Sequence, residues 1–181
     1  MKSILFVCIF LALTSCISQK EKPNSALKSG EGFVLMNIDC PSVVKKVHIL
    51  RSGRTADVLS EFSPDMRLAC NGFFTNSNGL AFFKLKEGSY FFGTIGEATS
   101  FYINEAKAYK FSVVPGKVNY IGDFKIDHVG DTLSNNGPFK TVTQNVSINV
   151  ENGKEKAIRE FSNQYPELHK TVPIHIAVAK K

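Results

Sequence analysis

Residues 109–126 read YKFSVVPGKVNYIGDFKI, and this stretch decides the fold because apolar and polar residues alternate on both sides of a proline–glycine pair. Alternation with a period of two is typical of a strand that buries one face. In the longer run the predicted apolar face consists of Val118, Tyr120, Phe124 and Ile126. Pro115-Gly116 favours a tight type II turn, because proline presets φ at one corner and glycine allows positive φ at the next. The stretch therefore predicts two strands joined as a hairpin.

Short apolar runs of this kind recur about every 8–12 residues along the chain, with turn residues between them. The chain has 181 residues, of which 43% are apolar and 21% charged, so its composition is that of one globular domain. A Gly- and Asn-rich stretch at Gly130–Pro138 is predicted to be a loop. These features predict a mostly β fold, an antiparallel two-sheet β-sandwich.

One segment has the pattern of an amphipathic helix, at about residues 153–165. Asn152 is a suitable cap, Glu155 follows three residues later, and Pro166 is expected to end the helix. Its predicted apolar face consists of Ala157, Ile158, Phe161 and Tyr165. A last apolar run, Val172–Val178, is predicted to return as a strand. The sandwich therefore carries one C-terminal helix.

The N-terminus has the pattern of a lipoprotein leader. Ile4–Leu13 is an apolar run that follows a positive charge, and it is too short to span about 30 Å of hydrocarbon as a helix. Leu13-Thr14-Ser15-Cys16 resembles the bacterial lipobox, in which the cysteine thiol accepts a diacylglyceryl group. We therefore expect a signal peptide at 1–15, a lipidated Cys16, a polar linker through residue 32 and a domain over 33–181. The alternative is an ordinary secretory leader in which Cys16 is incidental.

This leader predicts a location in the bacterial cell envelope, with the membrane bound through the N-terminal lipid. No Asp follows Cys16, which resembles the sorting pattern of outer-membrane lipoproteins facing the periplasm or the surface. The formal net charge is +6, but the basic residues are scattered in pairs such as Lys45-Lys46. We therefore expect a solvated basic surface and no nucleic-acid partner. The alternative is that this basic surface attracts anionic envelope polymers or lipid headgroups.

Two further cysteines, Cys40 and Cys70, are candidates for a disulfide bridge, since the envelope permits oxidation. The alternative is a pair of buried thiols that act as small apolar side chains. Neither cysteine lies in a CxxC motif or beside a histidine, so cysteine catalysis is not expected.

Two short motifs resemble those of small bacterial envelope lipoproteins of unknown function that have a transthyretin-like or carboxypeptidase-regulatory-like β-sandwich. Residues 85–90 read LKEGSY and residues 114–122 read VPGKVNYIG. The residues that carry the resemblance are Gly88, Tyr90, Pro115, Gly116, Tyr120 and Gly122. They are turn and core residues, so the resemblance implies a fold and supplies no catalytic residue.

No catalytic, metal or cofactor signature is found, and we expect a protein that is not an enzyme. The four histidines occur singly, without the spacing of a metal site: His48, His128, His169 and His175. Asp123 and Asp127 are predicted on one face of a strand with His128 on the other, so they are not expected to form a catalytic triad.

Paired aromatic residues are the most unusual feature of the composition. They occur at Phe73-Phe74, Phe82-Phe83 and Tyr90-Phe91-Phe92. The simplest interpretation is that one ring of each pair fills the sandwich and the other lies under a helix or loop. The function that follows is a lipid-anchored, non-catalytic lipoprotein that presents a β-sandwich surface to an envelope partner. The alternative is a glycan- or small-ligand-binding module that uses exposed aromatic and basic residues.

Overall fold

The computed structural model describes residues 26–41, 44, 46–57, 59, 63–69, 79–96, 100–136 and 139–181, and for 69, 100, 131–136 and 139–145 it describes the backbone alone. Most of these residues lie in strands, which are β1 (Glu31–Asp39), β2 (Lys46–Arg51), β3 (Met66–Ala69), β4 (Leu80–Lys86), β5 (Gly88–Gly96), β6 (Ser100–Tyr102), β7 (Lys110–Val113), β8 (Val118–Asn136), β9 (Phe139–Glu151) and β10 (Ile174–Ile176). A 3-10 turn at Glu105–Lys107 precedes β7, and the C-terminal region contains helices α1 (Lys154–Gln164) and α2 (Pro166–Thr171).

The strands form two sheets, which confirms the predicted β-sandwich with a C-terminal helix. The first sheet has the order β10-β8-β1-β4, with β9 also paired to β8, and the second has the order β3-β2-β5-β6, with β7 also paired to β5. The second sheet is antiparallel throughout. The first sheet is mixed rather than antiparallel, because β8 runs parallel to both β1 and β10.

Three apolar clusters hold this arrangement together. The largest lies between the sheets and includes Val34, Ile49, Phe92 and Ile121, all of them at most 2% exposed. A second cluster lies on the outer face of the first sheet, where α1 contributes Ala157 and Phe161. A third, smaller cluster covers the outer face of the second sheet with Leu50, Phe91 and Ala108. Each sheet is therefore buried on both faces along part of its length.

The predicted hairpin at Pro115-Gly116 is wrong, because β7 and β8 belong to different sheets. β7 pairs with β5, whereas β8 pairs with β1, β9 and β10. The turn itself forms, and it is fixed by a bond from the Gly116 backbone N–H to the Glu31 carbonyl at 2.8 Å. The buried Asn119 side chain also accepts from the Val114 N–H at 3.0 Å and donates to the Phe33 carbonyl at 3.0 Å. Proline and glycine specified a turn, but not which strands it would join.

The single apolar face predicted for β8 is also wrong, because the strand changes faces at Gly122. Val118 and Tyr120 lie under α1, whereas Phe124 and Ile126 lie between the sheets. The register with β1 passes from Leu35↔Tyr120 to Asn37↔Asp123, so β8 contains one extra residue there. Such a bulge reverses the direction of the side chains that follow it.

The C-terminal helix is confirmed, and a second helix follows it. Tyr165 leaves helical geometry before Pro166, and the proline then occupies the first turn of α2, where it needs no N–H. The residue before α1 is Gly153 rather than the predicted Asn152, and no side chain caps it. The returning strand is shorter than predicted and covers only Ile174–Ile176.

Candidate interaction site

The loop predicted at Gly130–Pro138 is wrong, since most of it is strand. β8 continues to Asn136 and β9 begins at Phe139. The Asn-Asn-Gly-Pro sequence is a strong turn signal, and only Val129 and Leu133 are apolar among residues 127–136, so the sequence shows no period-two alternation before the turn. The alternation of Val146, Ile148 and Val150 indicated the strand β9, but no local pattern indicated that β8 continues to Asn136.

This hairpin extends past the end of the sheet that carries it. β1 and β8 run parallel from Phe33↔Val118 to Asp39↔Lys125, where β1 ends. Beyond that point β8 pairs only with β9, from Ile126↔Ile148 to Asn136↔Phe139. We call these residues, 126–136 with 139–148, the β8–β9 arm. At about 3.3 Å per residue the arm is roughly 35 Å long.

The base of the arm is fixed to the sandwich. Ile126 is 4% exposed and belongs to the cluster between the sheets, against which Val146 and Ile148 also pack. The ladder then passes from His128↔Val146 to Gly130↔Asn145, which leaves Val129 as an extra residue without a cross-strand partner. Val129 is 61% exposed. The bulge therefore presents a valine to solvent near the base of the arm.

Both strands of the arm have an outer edge. Among the described residues, β9 pairs only with β8, and past Lys125 β8 pairs only with β9. A strand edge leaves a row of backbone N–H and C=O groups available to a further strand. Charged residues usually protect such edges, but between Gly130 and Asn149 only Asp131 and Lys140 carry a charge. The arrangement suits strand addition by a partner.

An open groove of about 580 Å³ lies elsewhere, between α1 and β10. Its apolar floor consists of Ile158, Ile174 and Ile176, and Lys154 and Arg159 lie along its side. Ile158 was predicted on the buried face of the helix, and it instead lines this groove.

The histidines lie on four different elements, so the structure does not bring them together. His48 is in β2 and only 1% exposed, opposite Arg67 of β3 and Thr94 of β5. His128 is on the arm, and His175 is on β10. His169 lies in α2, with its ring 6.1 Å from that of Phe161. No cluster of three metal-ligating side chains occurs in the part of the chain that the structure describes.

The acidic residues of β8 take part in structural contacts. Asp123 accepts hydrogen bonds from the Tyr120 hydroxyl at 2.7 Å and from the Asn37 side-chain amide at 2.9 Å. Burial and the neighbouring Asp123 carboxylate raise the pKa of the Tyr120 phenol above its ordinary value. Asp127 forms an ion pair with Lys125 at 3.5 Å. Asp127 and His128 are consecutive in one strand and therefore face opposite ways, as predicted.

The paired aromatic rings within the described residues pack as the simplest interpretation predicted. Tyr90 and Phe92 lie between the sheets, and Phe91 belongs to the cluster on the outer face of the second sheet. Phe82 packs under α1, where its ring lies 4.9 Å from that of Phe33 and 5.0 Å from that of Phe161. The third pair, Phe73-Phe74, lies outside the described residues.

The six residues of the family resemblance have turn and core positions. Gly88 begins β5, and the Tyr90 hydroxyl donates to the Lys86 carbonyl at 2.9 Å. Pro115-Gly116 turns the chain from the second sheet into the first. Tyr120 and Gly122 lie in β8 at the change of face. Their arrangement agrees with structural roles and forms no site for chemistry.

Cys16 and Cys70 lie outside the described residues, whereas Cys40 follows the end of β1 and packs against the cluster between the sheets. The lipid anchor and the disulfide bridge therefore stay predictions. No helix within the described ranges is long and apolar enough to cross a membrane. The sequence matches no model of a known protein family and no curated protein.

Proposed function

We propose that the chain is a lipid-anchored lipoprotein of the bacterial cell envelope that acts without catalysis and presents the β8–β9 arm to a protein partner. The observation that carries this proposal is the direction of the arm. β1 and β8 run parallel, so the arm leaves the sandwich at the end opposite to the one where the chain enters from Cys16. An N-terminal lipid would thus hold one end at a membrane while the arm extends from the other.

The arm has the properties of a recognition element. Its base is packed into the core, so a partner would meet a positioned strand edge rather than a loop. Its edges offer backbone hydrogen bonds, which give affinity in strand addition, and the exposed Val129 offers an apolar contact for specificity. These features favour an extended segment of a partner protein as the occupant.

The sequence supports the anchoring half of the proposal. The lipobox-like quartet ends at Cys16, and attachment of several acyl chains to one residue gives a durable anchor. The resemblance to small envelope lipoproteins favours the cell envelope, and the absence of Asp after Cys16 favours the outer membrane within it. Glycan binding through the aromatic pairs has less support, because their described rings pack inside the molecule.

Site-specific photo-crosslinking in living cells tests the proposal. A photoreactive amino acid replaces Val129 on the arm in the full-length protein, and a second variant carries it at Tyr102 of β6 as a matched control that is 43% exposed. We expect a discrete crosslinked protein from position 129 and none from position 102. The same band should disappear when Cys16→Ser prevents lipid attachment.

Three results would contradict the proposal, each in a different part. Equal crosslinks from both positions would mean that the arm is not the recognition surface. A band that persists in the Cys16→Ser variant would mean that anchoring is not needed to meet the partner. No band from position 129 would reject a protein partner at the arm.

A further inference from the structure

Basic residues gather at the end of the sandwich where the chain enters β1, which we call the N-terminal pole. This pole includes Lys28, Arg51, Arg54, Lys84, Lys86 and Lys117 together with Glu31, Asp65 and Glu87, and Asp65 accepts from the Arg51 backbone N–H at 2.7 Å and pairs with Arg54 at 3.2 Å. Backbone contacts bring them together. Lys28 accepts a hydrogen bond from the Glu31 N–H at 3.0 Å, and Lys117 accepts one from the Phe33 N–H at 2.9 Å. Lys86 lies directly opposite Glu31 in the β1–β4 ladder.

Three of these lysines have side chains that are not engaged in ion pairs. Lys28 and Lys86 are exposed and Lys117 is half-buried, and no ion pair in the described part of the chain includes any of them. Glu31 uses its carboxylate to accept from the Lys28 backbone N–H at 2.9 Å. The N-terminal pole thus combines an excess of positive charge with ammonium groups that are available to an external anion.

The arm at the other end has no excess of positive charge. The arm, residues 126–136 with 139–148, contains Asp127, Asp131 and Lys140, and Asp127 is paired with Lys125 at 3.5 Å. A body whose positive charge is concentrated at one pole tends to turn that pole toward an anionic surface. The charge distribution therefore has a preferred orientation relative to such a surface, and that orientation directs the arm away from it.

We infer that the N-terminal pole lies against the anionic headgroups of the membrane that holds the lipid anchor. This inference rests on the proposed function, because the anchor is what brings the pole to the surface. Eleven residues lie between Cys16 and Lys28, and the twelve steps from one to the other, at no more than about 3.6 Å each, allow a reach of roughly 43 Å and also permit direct contact. Lysines within a Debye length of an anionic bilayer are attracted to it, and salt weakens that attraction.

Lysine footprinting of the full-length lipidated protein in vesicles tests this inference. One set of vesicles contains phosphatidylcholine alone, and the other contains roughly 30% phosphatidylglycerol as the anionic lipid. A membrane-impermeant acetylating reagent reports the accessibility of Lys28, Lys86 and Lys117. The internal controls are Lys125, Lys154 and Lys156, which are exposed and lie away from the N-terminal pole.

We expect acetylation of the three pole lysines to be about threefold slower in the anionic vesicles, with the rates restored in about 1 M salt. The three control lysines should react at the same rate in both vesicles. If all six lysines respond alike, or none responds, the inference is wrong. The intact mass of the protein shows whether Cys16 carries lipid and so distinguishes failure of the two proposals. If Cys16 carries no lipid, both the proposed function and the inference are wrong. A lipidated protein without pole-specific protection rejects the inference alone.

A matched pair of triple variants provides a second measurement. A fluorescent amino acid at Val129 reports, through quenching by a headgroup-linked quencher, how often the arm meets the bilayer. Lys28→Gln with Lys86→Gln and Lys117→Gln should raise this quenching about twofold in anionic vesicles, since the preferred orientation is lost. Lys125→Gln with Lys154→Gln and Lys156→Gln should leave it unchanged. Equal effects of both triple variants would overturn the inference.

Discussion

At the scale of single residues, Gly122 is the position on which the change of face in β8 depends. Its φ is 118°, and an added Cβ would lie 2.6 Å from Val150 Cγ1. Gly116 is the matched control. Its φ is also positive, at 70°, but nothing lies within 4 Å of an added Cβ. We expect Gly122→Ala to lower the free energy of unfolding by about 2–4 kcal/mol and Gly116→Ala by about 1–2 kcal/mol.

Urea unfolding of the two variants measures this difference. Losses of equal size would mean that backbone conformation alone is responsible and that the contact with Val150 relaxes without cost. A variant of Gly122 as stable as the unaltered protein would mean that β8 does not change faces at this residue.

The Tyr120–Asp123 contact predicts a dependence of stability on alkaline pH. Burial and the Asp123 carboxylate raise the pKa of Tyr120, so the folded state retains the phenol proton more strongly than the unfolded state, where the pKa is about 10. Stability therefore falls as pH rises above the unfolded value, by up to about 1.4 kcal/mol per pH unit for this group.

Tyr120→Phe removes the titrating group but keeps the ring. The free energy of unfolding of this variant should decline less steeply between about pH 10 and 11.5 than that of the unaltered protein. Tyr165→Phe is a useful comparison, because burial alone raises the pKa of that phenol. Identical slopes for Tyr120→Phe and the unaltered protein would contradict the proposed cause.

At the scale of elements, α1 packs on the first sheet through two buried side chains, of which Phe161 is larger than Ala157. Phe161 is fully buried, and its ring lies 5.0 Å from that of Phe82 and 5.6 Å from that of Tyr165. Phe161→Ala should lower the free energy of unfolding by about 3–5 kcal/mol, because it leaves a cavity under the helix. Ser162→Ala, one residue on, should change it by less than about 0.5 kcal/mol. Chemical denaturation followed by circular dichroism measures the free energy of unfolding of both variants. Similar losses of stability in the two variants would mean that the packing of Phe161 does not hold α1 on the sheet.

The elements themselves were largely predictable, whereas their partners were not. Alternation in 109–126 correctly indicated β7 and the start of β8, because a buried face requires it. The same alternation does not indicate which neighbouring strand supplies the hydrogen bonds. The two strands joined by Pro115-Gly116 were therefore predicted to form one hairpin, although they lie in different sheets.

The other differences between the predicted and the observed fold arise from single residues and from contacts between distant parts of the chain. An inserted residue such as Gly122 reverses the side chains after it, and no local pattern distinguishes it from an ordinary strand glycine. The arm was not predicted, because Gly130 and the Asn-Asn-Gly-Pro sequence indicated a loop. As far as the structure describes the chain, its two strands pair only with each other, and no local pattern in the sequence indicates that pairing. The candidate interaction site could therefore be recognised only once the end of β1 was known.

At the scale of the whole molecule, the predicted bridge between Cys40 and Cys70 would join the two sheets. Cys40 follows β1 of the first sheet, and position 70 follows β3 of the second. Both strands finish at the same end of the sandwich, since Asp39 lies opposite Lys125 near the base of the arm and β3 finishes opposite Lys46, where β2 begins. A bridge there would close a loop of about 30 residues and fix the sheets beside the arm, with a contribution of about 3–4 kcal/mol.

We expect the mature protein, denatured without reductant, to present no free thiol from either cysteine. Reductant should then lower the free energy of unfolding by about 3 kcal/mol, because the unfolded chain regains the freedom that the closed loop had removed. The double variant Cys40→Ala with Cys70→Ala should have this lower stability and should not respond to reductant. Two thiols that titrate in the unreduced, denatured protein would show that the pair is buried and reduced, and the packing between the sheets would then have to hold the base of the arm without a covalent link.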